Sequence, residues 1–327
     1  MVLAKVSLCL RSAVQRHCRS TYRIEDELAE FFDDVEIRAF RAMQEETGLI
    51  ISGSFALRFV SRQRFDPDSD LDLYVEDVHA MQALQWLASI GYVTQRGFQN
   101  NVYSSAWPRP AMSTRTRTSN LRAAFTMYRE GKKVQVMVTW QSTVGVVLQF
   151  HSTCVMNIIT SNKAYCLYPR ATLVDKRSLV VRRPDFLEQR SADAIHKYHQ
   201  RGYSMEYIVE NERDISSPRS AYCVGPRSVG DSKCWVLDIQ GSETSPTSLG
   251  SDQVYVEGNA WRLVKSASRP GRLRHSFHSL HRYDLKFSYI LDQWSHQHQQ
   301  VSYRLRHLCY SGERWVFGFL LYSLMTY

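Results

Sequence analysis

Two aspartates, Asp70 and Asp72, stand one residue apart in the stretch Asp70-Leu71-Asp72-Leu73-Tyr74-Val75, which alternates acidic or polar with apolar residues. That alternation is the signature of a strand, in which side chains two apart share a face. The two carboxylates therefore point the same way while Leu71 and Leu73 enter a core. Carboxylates held that close repel one another, and a divalent cation between them relieves the repulsion. Their hard oxygen ligands suit Mg²⁺ or Mn²⁺. Some twenty positions upstream, the apolar run Leu49-Ile50-Ile51 ends in Ser52-Gly53-Ser54 and passes into a helical pattern from Phe55 to Val60. Gly53 allows a ligand to approach the backbone closely. Ser54, at the start of a helix, offers a hydroxyl and backbone amides to phosphate oxygens. Together the four residues describe a site for a metal ion and a nucleoside triphosphate.

The elements that must position these groups are legible in outline. Leu28, Phe31, Phe32, Val35, Phe40 and Met43 recur at helical spacing and predict one amphipathic helix ending near Glu46, with Gly48 as its stop. A polar loop over residues 61–69 separates the glycine turn from the Asp70 strand. Met81, Leu84, Leu87 and Ala88 predict a further helix that ends at Gly91. Val134, Val136 and Val138 predict a strand with Gln135 and Met137 on its other face. Val144 to Thr160 reads as a buried apolar helix, residues 161–200 as short helices, and Val254 to Val256 as a strand. Residues 104–120 and 240–252 read as loops. The expected fold is α/β, with a small mixed sheet flanked by helices. Residues 1–45 supply a helical segment, 46–200 the sheet-bearing domain, and 201–327 a C-terminal extension to which no role is assigned.

The combination resembles the nucleotidyltransferase superfamily that includes polymerase beta, poly(A) polymerases and small antibiotic-modifying enzymes. The wider stretch is similar to fungal nucleotidyltransferase-like proteins, through Thr47 to Leu57, Ser69 to Val75, Phe150 to Asn157, and Tyr198 with Arg201-Gly202-Tyr203. The resemblance covers about residues 20 to 235. It implies that Asp70 and Asp72 bind the metal and take the catalytic role, that Gly53 and Ser54 hold the nucleotide, and that a third carboxylate stands on a later strand. The later strand here is Lys133-Val134-Gln135-Val136-Met137, and the facing position is Gln135. An amide neither carries charge nor acts as a base. Two outcomes stay open: Mg²⁺-dependent transfer of a nucleotidyl group from an NTP to an acceptor, or a nucleotidyltransferase-like fold kept as a binding module.

Composition bounds the alternatives. The chain has 327 residues and a formal net charge of +9. Its basic stretch from Arg109 to Lys133, interleaved with Trp107, Phe125 and Tyr128, fits an RNA or DNA backbone, or a triphosphate, and nucleic-acid binding through it is a third reading. A second basic cluster surrounds Trp261. No apolar run reaches the ~20 residues of a transmembrane helix, so no membrane partner is expected. Seven irregularly spaced cysteines point to a reducing compartment. His151 and Cys154 form half of a zinc-spaced set without a second half. The first 24 residues are basic, with no acid before Glu25, a pattern shared by mitochondrial presequences and by ordinary basic helices. Because helix resumes directly at Ile24, a packed first helix in a cytoplasmic or nuclear protein is the expectation. Walker A, HExxH, GxSxG and kinase signatures are missing from the sequence.

Overall fold

The computed structural model describes residues 8–63, 70–94, 121–140, 142–181, 189–207, 220–222, 225–239, 256–265 and 273–279. In chain order the elements are α1 (Leu8–Thr21), α2 (Ile24–Leu28), α3 (Asp34–Thr47), β1 (Ile50–Ser52), α4 (Gly53–Ser61), β2 (Leu71–Glu76), α5 (Ala80–Ser89), β3 (Val93–Thr94), β4 (Leu121–Arg129) and β5 (Lys132–Thr139). They continue with α6 (Thr143–Val147), β6 (Asn157–Ile159), β7 (Lys163–Cys166), β8 (Arg177–Leu179), α7 (Gln189–Gln200), β9 (Ser204–Glu206), β10 (Gly225–Ser228), β11 (Trp235–Asp238), β12 (Asn259–Lys265) and β13 (Leu273–Ser279).

The central sheet is mixed, in the order β11-β7-β6-β1-β2-β5-β4-β3. Its strands pair antiparallel except for β2 and β5, which run parallel. The outer strand β11 comes from beyond residue 200. A three-stranded sheet β10-β12-β13 and the pair β8-β9 complete the strands. This is the expected mixed sheet flanked by helices.

Strand alternation explains the two-sided core. Ile51, Leu71, Leu73, Val75, Val134, Val136 and Val138 face a layer built by α2, α3, α4 and α5, through Leu28, Phe40, Phe55, Phe59 and Leu84. The adjoining residues Ile50, Tyr74 and Ile158 face the other way, against Val144, Val147, Leu148 and Trp261. Helix α1 lies at the sheet's edge, where Tyr22 beside it meets Phe59 and Trp235 edge-on at 5.7 and 5.4 Å. Arg19 lies 3.6 Å from Asp238.

The expected single helix through Leu28 and Met43 is two helices. Asp33 interrupts it by accepting from the amides of Val35 and Glu36, both at 2.8 Å. Glu36 returns the bond to the Asp33 amide, closing a capping box that starts α3 afresh. Val35, counted among the apolar positions, is 67% exposed. Gly48 ends α3 in the left-handed conformation, as its position predicts.

The expected helix from Val144 to Thr160 also breaks, stopping at Val147 and giving way to a short 3₁₀ turn (Thr153–Val155) and β6. Polar side chains draw the backbone into sideways bonds. The Leu179 amide donates to Thr153 Oγ1 at 2.9 Å, the Cys154 amide to Ser178 Oγ at 3.0 Å, and Asn157 Nδ2 to the Cys154 carbonyl at 2.7 Å. The β-branched Ile158 and Ile159 then join the sheet. Between 161 and 200, β7, a π-helical turn (Arg170–Val174) and β8 precede α7, where short helices were expected. Residues 251–255 lie outside the described residues, Val256 is in a turn, and the strand of this region begins at Asn259. The expected loops at 104–120 and, but for Asp238 and Ile239 before it, 240–252 also lie outside.

Candidate functional site

The residues singled out by spacing meet at one corner of the central sheet. β1 ends at Ser52, which is in antiparallel register with Asp72. Ser52 is buried and anchors the corner by donating from Oγ to the Asn157 carbonyl at 2.6 Å. The chain turns at Gly53, with φ of +70°, and enters α4 at once. A methyl group at position 53 would lie 2.5 Å from Asp72 Oδ2. Glycine is thus required twice, by the positive φ and by the carboxylate filling the space where a side chain would start. The Asp72 carboxylate sits at the N-terminal end of α4, where the helix dipole favours negative charge.

Asp72 is half-buried, and its side chain forms no hydrogen bond or ion pair with a described residue. Burial pushes its carboxyl up to about 7, with the Asp70 charge adding to the effect and Lys133 and Lys197 opposing it. Asp70, just before β2, pairs with Lys133, whose Nζ stands 2.6 Å from Asp70 Oδ2. Across the parallel pair, Asp72 is in register with Gln135. The strand position expected from the sequence is therefore beside the carboxylates. The Gln135 amide bonds to no described residue. Among the described residues no three His, Cys, Asp or Glu side chains gather as metal ligands would.

Ser54 is at the opening of α4, as expected, but its hydroxyl is engaged. Ser54 Oγ and Tyr198 Oη are 2.7 Å apart, and Arg201 Nη1 approaches Ser54 Oγ at 3.4 Å. The Arg201 guanidinium also lies 5.4 Å from the centre of the Tyr198 ring. Burial raises the Tyr198 phenol, so it stays protonated. Lys197, next to it in α7, is pulled down by burial and by Arg201 while Asp70 and Asp72 push it up. Helix α7 thus brings Lys197 and Tyr198 to the site, the turn after it brings Arg201, and β5 brings Lys133. The sequence reading placed Lys133 only in the basic stretch and assigned no charge role to Lys197 or Arg201. The signal for Lys133 was available, since it lies two residues before Gln135 and so on the same strand face. The signal for α7 was not, because contact across 144 positions depends on the fold.

The other sequence features go elsewhere. His151 Nδ1 meets Ser152 Oγ at 2.8 Å, and its ring lies 5.7 Å from that of Tyr198. Cys154 is buried, and burial pushes its thiol up to about 11. In the basic stretch, Arg122 pairs with Asp77 and packs over Trp140. Arg129 is bound bidentate by Glu36, and Lys133 by Asp70. Arg109, Arg115 and Arg117 lie outside the described residues. Trp261 is buried and donates to Tyr168 Oη at 2.8 Å. Among the described residues no helix is long and apolar enough to cross a membrane.

No protein-family model matches this chain, and no curated protein matches it. Two solved structures that do match are CCA-adding enzymes. One is the Thermotoga maritima enzyme complexed with tRNA, at 14% identity and a TM-score of 0.36, over 58% of this chain and 43% of that one. The other is a CCA-adding enzyme in complex with ATP, at 14% identity and a TM-score of 0.37, over 59% of this chain and 43% of that one. This chain thus spans less than half the length of either, and at these TM-scores the likeness is distant.

Proposed function

We propose that the corner formed by Gly53, Ser54, Asp70 and Asp72 binds a nucleoside triphosphate together with a divalent cation, in a protein of nucleotidyltransferase-like fold. The observation that carries this reading is the Asp72 carboxylate. It is held against Gly53 at the start of α4 and has no bonding partner among the described residues. A half-buried acid without a partner is costly unless something cationic joins it.

The donor set fits a hard cation: Asp72 supplies a carboxylate oxygen and Gln135 an amide oxygen, with the Asp70 carboxylate beside them paired to Lys133. When bound, such a cation supplies positive charge to phosphate oxygens. The rest is done by the chain itself. The α4 amides and the side chains of Lys197 and Arg201 offer donors to the phosphates. Gly53 keeps the approach open.

A second reading is favoured by Gln135. Its amide is the only group in register with Asp72 on β5, and it neither accepts a hydroxyl proton nor carries charge. On that reading the chain binds nucleotide and does not transfer it. Calorimetric titration of ATP, GTP, CTP and UTP, with and without Mg²⁺, tests the shared premise. Mg²⁺-dependent binding by the parent that is lost in Asp72→Asn supports the site. Equal binding by both proteins, or none by a folded parent, overturns it. An NTP-turnover assay on the same preparations then separates transferase from binding module.

A further inference from the structure

The seam between β2 and β5 carries two pairs side by side. Asp72 is in register with Gln135, and Asp70, one residue before β2, stands against Lys133. Lys133 and Gln135 share one face of β5, since Val134 and Val136 between and beyond them are fully buried in the core. The Lys133 ammonium lies 2.6 Å from Asp70 Oδ2, with the two side chains 30% and 34% exposed. The strand that offers an amide where a third acid would stand therefore also supplies a fixed cation, two residues away on the same face.

Charge counting gives the consequence. Three carboxylates would balance much of the charge of two divalent ions. Here the Asp70 carboxylate is matched by the Lys133 ammonium at 2.6 Å, while Lys197 acts on both acids from α7 without bonding to either, so Asp72 is the carboxylate left without a bonded cation. A divalent ion placed at Asp70 would have to displace Lys133 or lie against it, and like charges at such distances repel strongly in a half-buried setting. We infer that Lys133 is the resident cation of this site: its ammonium occupies Asp70 in place of a metal ion and limits the site to one divalent cation, held through Asp72. This rests on the metal-nucleotide reading proposed above and specifies its stoichiometry. An ammonium is a compact point charge with three donors. It holds a negative oxygen, and it lacks the Lewis acidity by which a metal activates a hydroxyl. Lys133 and Gln135 therefore act in the same direction, preserving binding while removing what transfer requires.

The test is Mn²⁺ binding without nucleotide, read as stoichiometry and affinity by calorimetry and as spin coupling by electron paramagnetic resonance. The parent and Gln135→Asp each bind one Mn²⁺. Lys133→Met/Gln135→Asp binds two, with a coupled spectrum. Lys133→Met alone binds one ion at least fivefold more tightly, because Asp70 is released, and thermal melting confirms that each variant folds. Two ions in the parent or in Gln135→Asp, or unchanged affinity in Lys133→Met, overturn the role of Lys133 and leave the nucleotide site standing. Absence of Mn²⁺ binding in the parent and in every folded variant overturns both.

Discussion

Asp72 Oδ2 occupies the space where a side chain at position 53 would begin, 2.5 Å from a methyl group placed there. The glycine and the carboxylate are 19 positions apart in sequence and act as one structural unit. The close approach fixes where the acid lies relative to the start of α4, and it makes the turn intolerant of any other residue.

Gly53→Ala tests this unit. The left-handed conformation alone costs about 1–2 kcal/mol for an alanine. The clash adds to that, because the struck atom is a carboxylate oxygen on a half-buried strand residue. Chemical denaturation is expected to show a loss above 1 kcal/mol. Cation binding should fall even under conditions in which the variant is fully folded, because Asp72 is pushed aside. A neutral effect on both would show that the turn relaxes freely.

The protonation of Asp72 sets a pH dependence. Its carboxyl is raised in the folded state from an ordinary 3.8 to about 7, chiefly by burial. A raised acid stabilises the metal-free protein fully below its unfolded value, and that contribution is lost as pH rises through about 7. Metal-free protein should therefore be more stable at pH 5 than at pH 8 through this group, and Asp72→Asn should flatten that part of the profile. Cation affinity should run the opposite way, rising with pH and levelling off above the same value, since the ion requires the carboxylate. Denaturation and Mn²⁺ titration at matched pH values check both slopes.

The strands that carry the acids were legible because buried and half-buried positions alternate there without interruption, as in Leu71-Asp72-Leu73 and Val134-Gln135-Val136. Asp72 and Gln135 are register partners across the parallel pair. Helix limits were less legible. Apolar spacing continues across Asp33 and across residues 148–156, and in both places side-chain oxygens bonding to backbone amides override it. The cations of α7 were hidden for a different reason. Nothing local to Lys197 or Arg201 reports that α7 and the turn after it lie against Ser54.

Arg129 holds the helical layer to the sheet. Its Nη1 donates to Glu36 Oε1 at 2.7 Å and to the Ile90 carbonyl at 2.7 Å, and its Nη2 to Glu36 Oε2 at 2.8 Å and to the Phe31 carbonyl at 2.6 Å. The Arg129 hydrogen bond holds the Glu36 carboxyl below its ordinary value. Arg129→Met leaves that acid and two carbonyls short of partners and should cost about 2–4 kcal/mol. Arg129→Lys should rescue little, because one ammonium does not reproduce the planar fork. Stability measured by denaturant unfolding decides this, and a loss below 1 kcal/mol in the Met variant would show that water replaces the arginine.

The last expectation concerns α7 and the phosphates. Arg201 reaches Ser54 Oγ at 3.4 Å and lies over Tyr198, while Lys197 senses the charges of both Asp70 and Asp72. If these cations face the triphosphate, Arg201→Ala and Lys197→Ala should each weaken ATP binding by about tenfold or more, the value of one charge-assisted hydrogen bond. AMP, which lacks the outer phosphates, should lose much less. Tyr198→Phe provides the structural control. It removes the 2.7 Å hydroxyl contact to Ser54 but keeps the ring under Arg201. It should cost about 1 kcal/mol in stability with little selective effect on ATP over AMP. A uniform loss of ATP and AMP binding in all three variants would mean that α7 merely props up the α4 turn. A loss confined to ATP in the two charge variants would mean that the helix reads the phosphates directly.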